Sequence, residues 1–409
     1  MSLFSFRPFA RSLRYRVDRL RAKFSYAVLA EGNVRGFTFT RSSEDVPHIL
    51  FVTSNGAGMG HITRCLAIAT AGGPRIRASF ITLSTSASVV GAQGFEYLYF
   101  QSASKTGLGA RRWNDLFYQF LSKVLQKNHF DAVVFDGTWI YRGLEDALRS
   151  VDGTKLIWLR RGLWKAGSRT DQISRMESLV QGVIAPWDVG SAYDNGPLKG
   201  RSAATTVNAV VYSPASVPLD RAEALAALGL ESEQRFALIQ LGAGNINDIT
   251  EVRRQVVAEI SAFAGDRVVP VLAFSPLSRE QVDIDGIRIL RRYPLAPYLP
   301  AFDFVVSAGG YNSVHEVVRW NIPALIIPND AASTDDQNAR ADGASDLPYC
   351  FKASSESEIR DGIEKLVRMT AQFEAELPVV PGQSKLEAIS RIDSGEEAAE
   401  TILNMIQAG

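Results

Sequence analysis

His61 is one of only four histidines in the 409-residue chain, and its setting is suggestive. It closes the run Ser54-Asn55-Gly56-Ala57-Gly58-Met59-Gly60 and is followed by Ile62-Thr63-Arg64. Glycines let backbone approach a ligand closely, and a helix start offers unpaired N–H groups to polar or anionic oxygens. An imidazole at such a turn can take a proton near neutral pH; a tight strand-to-helix turn would use the same glycines. A second run, Ser307-Ala308-Gly309-Gly310-Tyr311-Asn312-Ser313-Val314-His315-Glu316, repeats the arrangement. Gly309 and Gly310 would admit a diphosphate to the N–H groups of Asn312 and Ser313. Glu316 would then accept from two ribose hydroxyls, or close a capping box at the helix start. A third run, Asp335-Asp336-Gln337-Asn338-Ala339, sets acid and amides in a row, suited to sugar hydroxyls or to an N-capped first turn.

These runs follow apolar stretches, so strands must deliver them. Strands are expected at 48–54, 78–83, 96–100, 131–136, 156–160 and 182–186, with helices at 61–71, 113–127 and 141–149 between them. After the proline-containing stretch around 211–219 a second series begins. It has a helix at 220–228, strands at 236–241, 267–274, 287–291, 303–307 and 324–328, and helices at 249–263, 312–319, 356–374 and 385–408. Such alternation predicts an α/β chain of two doubly wound, Rossmann-like domains, with ligands beyond the carboxyl ends of the strands.

Composition narrows the class. Lys plus Arg equals Asp plus Glu, giving a formal net charge of zero, which excludes a dedicated nucleic-acid binder. Cys65 and Cys350 form no CxxC pair, so neither a zinc site nor a disulfide framework is expected and a reducing cytoplasm is the expected compartment. Residues 1–44 stand apart. Arg7, Arg11, Arg14, Arg16, Arg19, Arg21 and Lys23 accompany Phe6, Phe9, Leu13, Val17, Leu20 and Phe24 at helical spacing. A basic amphipathic helix over residues 1–25 suits an anionic membrane surface, at the inner face of the cell membrane, or an extension packed on the body.

The order Gly309-Gly310-Tyr311-Asn312-Ser313, then Glu316, Ile322-Pro323, Pro328 and Asp336-Gln337-Asn338-Ala339 resembles the donor half of GT-B glycosyltransferases. It is most similar to family 28, with its peptidoglycan-precursor N-acetylglucosaminyl transferase. The resemblance covers most of residues 46–380 and implies two Rossmann-like domains facing a central crevice. An acceptor-side domain would span 45–214, a nucleotide-sugar domain 215–380, and a segment 381–409 would cross back to the first. It implies no cofactor, no metal, a UDP-sugar donor and a sugar or lipid-linked acceptor. Gly309, Gly310, Asn312 and Ser313 would hold the diphosphate, Glu316 the ribose, and Asp336, Gln337 and Asn338 the donor sugar. Gly242, Gly244 and Asn245 match the opening of the donor domain, and the main chain at Tyr293 the base-reading position. His61 would be the general base, with Gly58, Gly60, Arg64 and Asp136 on the acceptor side.

The resemblance thus implies inverting transfer of a sugar to an acceptor, with domain closure excluding water. The form Gly58-Met59-Gly60-His61-Ile62-Thr63-Arg64-Cys65-Leu66-Ala67 is also similar to UDP-sugar hydrolases of nonulosonic-acid biosynthesis, in which His61 would activate water. A non-catalytic nucleotide-sugar binder is the third class, disfavoured by the intact His61, Glu316 and Asp336-Gln337 set. Asp136, after Ala132-Val133-Val134-Phe135, would orient His61, meet an acceptor or cap the next helix. Arg160 and Arg161 would bind an acceptor phosphate or lie in solvent. Asp283-Ile284-Asp285 has the spacing of a metal-binding DxD motif and reads as a surface turn.

Overall fold

Every residue of His48–Thr53 is buried, as a run without polar alternation requires of a central strand covered on both faces. This strand organises the first half of the chain. The computed structural model describes residues 26–40, 45–54, 59–213, 219–242, 249–275, 284–331, 334–371 and 388–408. The basic segment 1–25, Gly58, the linker centre 214–218, Gly244, Asn245, Asp283 and residues 381–387 lie outside the described residues.

The first sheet contains β1 (Ala30–Gly32), β2 (His48–Thr53), β3 (Arg77–Thr82), β4 (Glu96–Phe100), β5 (Ala132–Asp136), β6 (Lys155–Leu159), β7 (Gly182–Pro186) and β8 (Ala204–Val207). Its order is β1-β4-β3-β2-β5-β6-β7-β8, with β1 antiparallel and the rest parallel. Past β9 (Ala209–Val210), the second sheet contains β10 (Arg235–Gln240), β11 (Val268–Phe274), β12 (Arg288–Arg291), β13 (Phe304–Ala308), β14 (Ala324–Ile327) and β15 (Cys350–Lys352). It is parallel throughout, in the order β12-β11-β10-β13-β14-β15. In each sheet the winding reverses beside the first parallel strand, between β2 and β5 and between β10 and β13. A crevice opens at such a reversal.

The helices that matter most are α1 (Gly60–Gly72), α2 (Ala110–Lys127), α3 (Thr250–Ala264), α4 (Tyr311–Trp320), α5 (Gln337–Ser345), α6 (Glu356–Ala371) and α7 (Glu396–Gln407). In α2 the buried residues Trp113, Leu116, Phe117, Phe120, Leu121 and Val124 recur at intervals of three and four and pack with Phe100, Phe130 and Phe135.

Most expected elements form within one or two residues of their bounds. The expected final helix 385–408 does not. Residues 388–390 are helical, but Ile392–Asp393 (β16) then pairs in parallel with β9, and helix resumes only at Glu396. Gly395 forces the break: it sits at φ 107°, and a Cβ there would lie 2.9 Å from the Ile68 backbone. Lys155 Nζ closes the far end of α7 on the carbonyls of Met405 and Ile406, at 2.9 and 2.7 Å. Strands β1, β8, β9 and β15 were not anticipated; none is a long apolar run. The described part of the N-terminal extension packs on the body: β1 pairs with β4, and Leu29 and Phe39 are buried.

The two sheets are joined by more than the linker. Arg340 of α5 is wholly buried and bonds Asp188, after β7, at 2.8 and 2.9 Å, and Asp335 at 3.0 Å. Arg161, after β6, meets Asp335 from the other side at 2.8 Å. Asp336 N–H donates to the Leu163 carbonyl and Lys165 N–H to that of Thr334, both at 2.9 Å. Gly190 and Gly343 let the chain after β7 lie against α5, for a Cβ on either would fall within 2.7 Å of opposing backbone.

Arg340→Leu would leave two buried aspartates short of their cation. It is expected to cost roughly 3–5 kcal/mol of stability, read by chemical denaturation. Arg75→Ala, which breaks an exposed pair with Glu400, should cost about 0–1 kcal/mol.

Candidate functional site

The end of β2 delivers the chain into α1, and the end of β5 delivers Asp136 beside it, because Thr53 and Asp136 are in register. His61 therefore stands at the first sheet's reversal. Its Nδ1 lies 2.7 Å from Asp136 Oδ1. The imidazole is 16% exposed while the carboxylate is 1% exposed. Arg64, one turn along α1, grips the same carboxylate through Nε at 2.9 Å and an Nη at 2.6 Å. Burial alone would raise the Asp136 carboxyl, but Arg64 and His61 beside it hold it below the usual carboxylate value. An ionised Asp136 orders the tautomer in which Nδ1–H donates to it and Nε2 keeps its lone pair. Among the described residues no hydrogen bond occupies Nε2.

Arg64 was expected on the acceptor side. Its side chain is 1% exposed and is spent on Asp136, so it holds the carboxylate and cannot reach an acceptor. The reason is that α1 is covered nearly all round: Ile62 to Ala69 are all buried.

The second reversal delivers α4. Its N-cap is Gly310, no side chain caps it, and its first turn carries no acid. The opening N–H groups at Tyr311, Asn312 and Ser313 therefore have no intrahelical acceptor. α1 likewise starts without a side-chain cap, at Met59. The two helix starts meet: Asn312 Nδ2 reaches the Gly60 carbonyl at 3.5 Å, and Asn312 Oδ1 is buried without a partner. Ser275, at the end of β11, reaches Met59 Sδ at 3.8 Å. Two positive helix ends aimed across one crevice favour an anion between them.

Glu316 lies one turn further into α4 and is only 8% exposed. The capping-box explanation fails, since with Gly310 as N-cap the reciprocal position is Ser313. Burial raises its carboxyl to about 7, and among the described residues no hydrogen bond reaches it. Tyr293 is close enough to sense its charge, while the Tyr293 hydroxyl donates to Thr63 of α1 at 3.1 Å. Gly242 sits at φ 86° after β10, its carbonyl held by Arg253 at 3.0 Å.

The expected sugar grip is built differently. Asp336 caps α5, accepting from Ala339 N–H at 3.0 Å. Gln337 Oε1 accepts from Asn329 N–H at 2.9 Å, and Asn338 is bonded to Asp330. One oxygen each of Asp336 and Gln337 is thus committed within the protein. Gly309 has a packing role too: a Cβ would lie 3.0 Å from Gln337, whereas at Gly310 it would meet nothing within 4 Å. Arg160 and Arg161 are neither solvated nor free. Arg160 is buried against Glu177 at 2.8 Å, and Arg161 pairs with Asp335. Asp285 and Gly286 form the exposed turn expected there. Sequence reasoning missed Tyr311, Arg340, Asp188 and His315, because a buried charge bonded to a distant segment leaves no local pattern.

No protein-family model and no curated relative matches the sequence. Comparison with solved structures finds the spinosyn forosaminyltransferase SpnP, at TM-score 0.62 and 13% identity over 88% of this chain and 100% of that one. It also finds glycosyltransferase VinC in complex with dTDP, at 0.56 and 15% over 88% and 100%. A protein described as a UDP-N-acetylglucosamine 2-epimerase from Listeria monocytogenes gives 0.57 and 11% over 88% and 95%. At these identities the likeness is one of fold. The chain has the GT-B architecture of two Rossmann-like domains.

Glu316 gives a signed pH effect. The folded protein keeps a proton that the unfolded chain, near 4.5, has released, so this group's contribution to stability is lost as pH rises through about 7. A ligand whose hydroxyls donate to the carboxylate must expel that proton. A nucleoside diphosphate held in this way would bind more tightly from pH 6 to pH 8, by up to about tenfold per unit below the carboxyl's pKa, as titration with UDP and dTDP can check. In Glu316→Gln this component should vanish from calorimetric titrations. The nucleotide's own ionisation is common to both proteins and cancels.

Proposed function

We propose that the protein is a glycosyltransferase that moves a sugar from a nucleoside diphosphate sugar to an acceptor hydroxyl with inversion. One observation carries this reading: a His61–Asp136–Arg64 cluster, with Nε2 unoccupied, faces the uncapped start of α4 across the crevice of a GT-B fold. The α4 end recognises a departing diphosphate, and the imidazole supplies a base about where an attacking hydroxyl would stand.

In the reaction, His61 Nε2 takes the hydroxyl proton as the acceptor oxygen attacks the anomeric carbon. The bond from that carbon to the diphosphate oxygen breaks, and the nucleoside diphosphate leaves with both electrons. Amides at Asn312 and Ser313 stabilise its charge as it develops. Asp136 orients His61 and stabilises the imidazolium; Arg64 keeps Asp136 ionised. Glu316 accepts from the ribose. The second amide N–H of Gln337 and of Asn338, and the open oxygen of Asp336, meet the sugar at its edge. Residues 215–380 serve the donor and 45–214 the acceptor. The sequence resemblance favours UDP as carrier. The same resemblance, with the basic residues of 1–25, favours a lipid-linked or envelope polysaccharide acceptor at an anionic membrane surface. Among the described residues no helix is long and apolar enough to cross a membrane.

His61→Ala should lower turnover by roughly 10²–10⁴-fold while leaving nucleotide affinity within about threefold, since His61 meets the acceptor. The assay is nucleoside diphosphate release from UDP- and dTDP-sugars, with and without saccharide and lipid-linked acceptors. Release that depends on an acceptor supports transfer. Release that no acceptor changes assigns hydrolysis, with water in the acceptor's place. Full activity in His61→Ala would remove the histidine from the mechanism. Deleting residues 1–25 should abolish co-sedimentation with anionic liposomes; retained binding would refute the membrane role.

A further inference from the structure

Tyr311 is the first residue of α4, in the second domain, yet its side chain lies among first-domain groups. Its hydroxyl donates to the Trp187 carbonyl and accepts from Val210 N–H, each at 3.1 Å. Two buried guanidinium groups lie over the ring. Arg64 stands 5.3 Å from the ring centroid and Arg340 stands 5.6 Å from it. Each arginine is held by its own acids: Arg64 by Asp136, Arg340 by Asp188 and Asp335. His315, one turn along α4, braces the same point. Its Nδ1–H donates to the Tyr311 carbonyl at 2.7 Å, and its Nε2 accepts from Val189 N–H at 3.1 Å. Burial lowers the His315 pKa, which agrees with this neutral tautomer.

This column leads from the interdomain ion pairs to His61. The electron-rich ring face attracts a guanidinium, the more so when it is desolvated. Arg64 can present its fork squarely to Asp136 only from a fixed position. Around Asp136 the titratable or charged neighbours are His61, Arg64 and Cys65 from α1, with Tyr311 reaching Arg64 from α4. His315, from the same helix, also senses the Arg64 charge, but among the described residues Tyr311 is the second-domain side chain whose ring lies over the guanidinium. We propose that Tyr311 is a positioning residue for His61, acting through Arg64 and Asp136, so that the helix presenting amides to the diphosphate also sets the base of the first domain. The proposal rests on the reading of His61 as the base.

The test is a pH titration of the His61 ring by NMR on full-length protein carrying labelled histidine. The His61 signal is assigned by its loss in His61→Ala. Tyr311→Met fills the space without a π face. Loosening Arg64 frees more of the Asp136 charge to stabilise imidazolium, so the His61 midpoint should rise by about half a pH unit, a roughly threefold change in proton affinity. Tyr311→Phe keeps the ring and loses the hydroxyl bonds. It should leave the midpoint within about 0.2 units while melting at a lower temperature. Arg64→Lys keeps the charge without the fork, acts at the other end of the contact and should raise the midpoint as Tyr311→Met does; it decides the matter if Tyr311→Met does not fold. A purely structural Tyr311 would lower the melting temperature in both tyrosine variants and move the titration in neither, which overturns the proposal. So would an unmoved midpoint in Arg64→Lys. Calorimetry with UDP and dTDP on the same samples separates the two claims. Failure of the wild type to bind either nucleotide removes the donor reading, while the titration still decides the role of Tyr311.

Discussion

A guanidinium sealed from water must find acceptors for its charge and its hydrogen bonds, or the segment bearing it will not stay folded. Arg340 imposes this condition on both domains at once. Asp335 is its near neighbour in sequence, but Asp188 belongs to the loop after β7 of the other sheet. Meeting the requirement brings the loops after β6 and β7 against the start of α5. Arg161, Leu163 and Lys165 then bond residues 334–336. The relative placement of the two sheets is thereby set by a dry, charge-balanced junction as well as by the chain that links them. The junction also accounts for Asp335: burial would raise its carboxyl, yet Arg161 and Arg340 hold it well below the usual range.

With that junction made, the two reversals of sheet winding face one another. One presents His61 on Asp136, the other the uncapped start of α4. Each is an ordinary consequence of doubly wound topology; their opposition gives the crevice its chemistry. On the proposed reading, His61 as base and the start of α4 as oxygen-binding end would serve displacement at a carbon between them. The junction also limits how the domains could move: any motion of one against the other would have to pivot about the Arg340 contacts or break them, and breaking a buried pair is costly.

Much of this was legible in the sequence where the signal was local. Apolar runs marked the central strands, and glycine-rich turns after them marked His61 and Asn312-Ser313. Asp136 was placed correctly at a strand end, with orientation of His61 among its expected roles. What could not be read was the use of polar side chains between distant segments. Arg64 reads as an acceptor-side residue of a helix start because nothing nearby shows that α1 is covered nearly all round. Asp336-Gln337-Asn338 reads either as a sugar grip or as an N-capped first turn; Asp336 does cap α5, while the partners of the amides at Asn329 and Asp330 and the strap at 161–165 appear only on folding. The final helix was overextended because Gly395 is not recognisable from sequence as a close approach to Ile68. Short strands such as β1 and β15 owe their pairing to neighbours and not to their own apolar content.

The central claim is that the two helix starts form one nucleotide-sugar site. A crystal structure of the protein with UDP or dTDP tests it most directly. The account predicts the diphosphate against the amides of Asn312 and Ser313, the two ribose hydroxyls of UDP (the single 3′-hydroxyl of dTDP) on the Glu316 carboxylate, and the open phosphate oxygens turned toward His61 Nε2. A nucleotide bound away from the start of α4, or seated there with Glu316 unengaged and His61 remote, would contradict it.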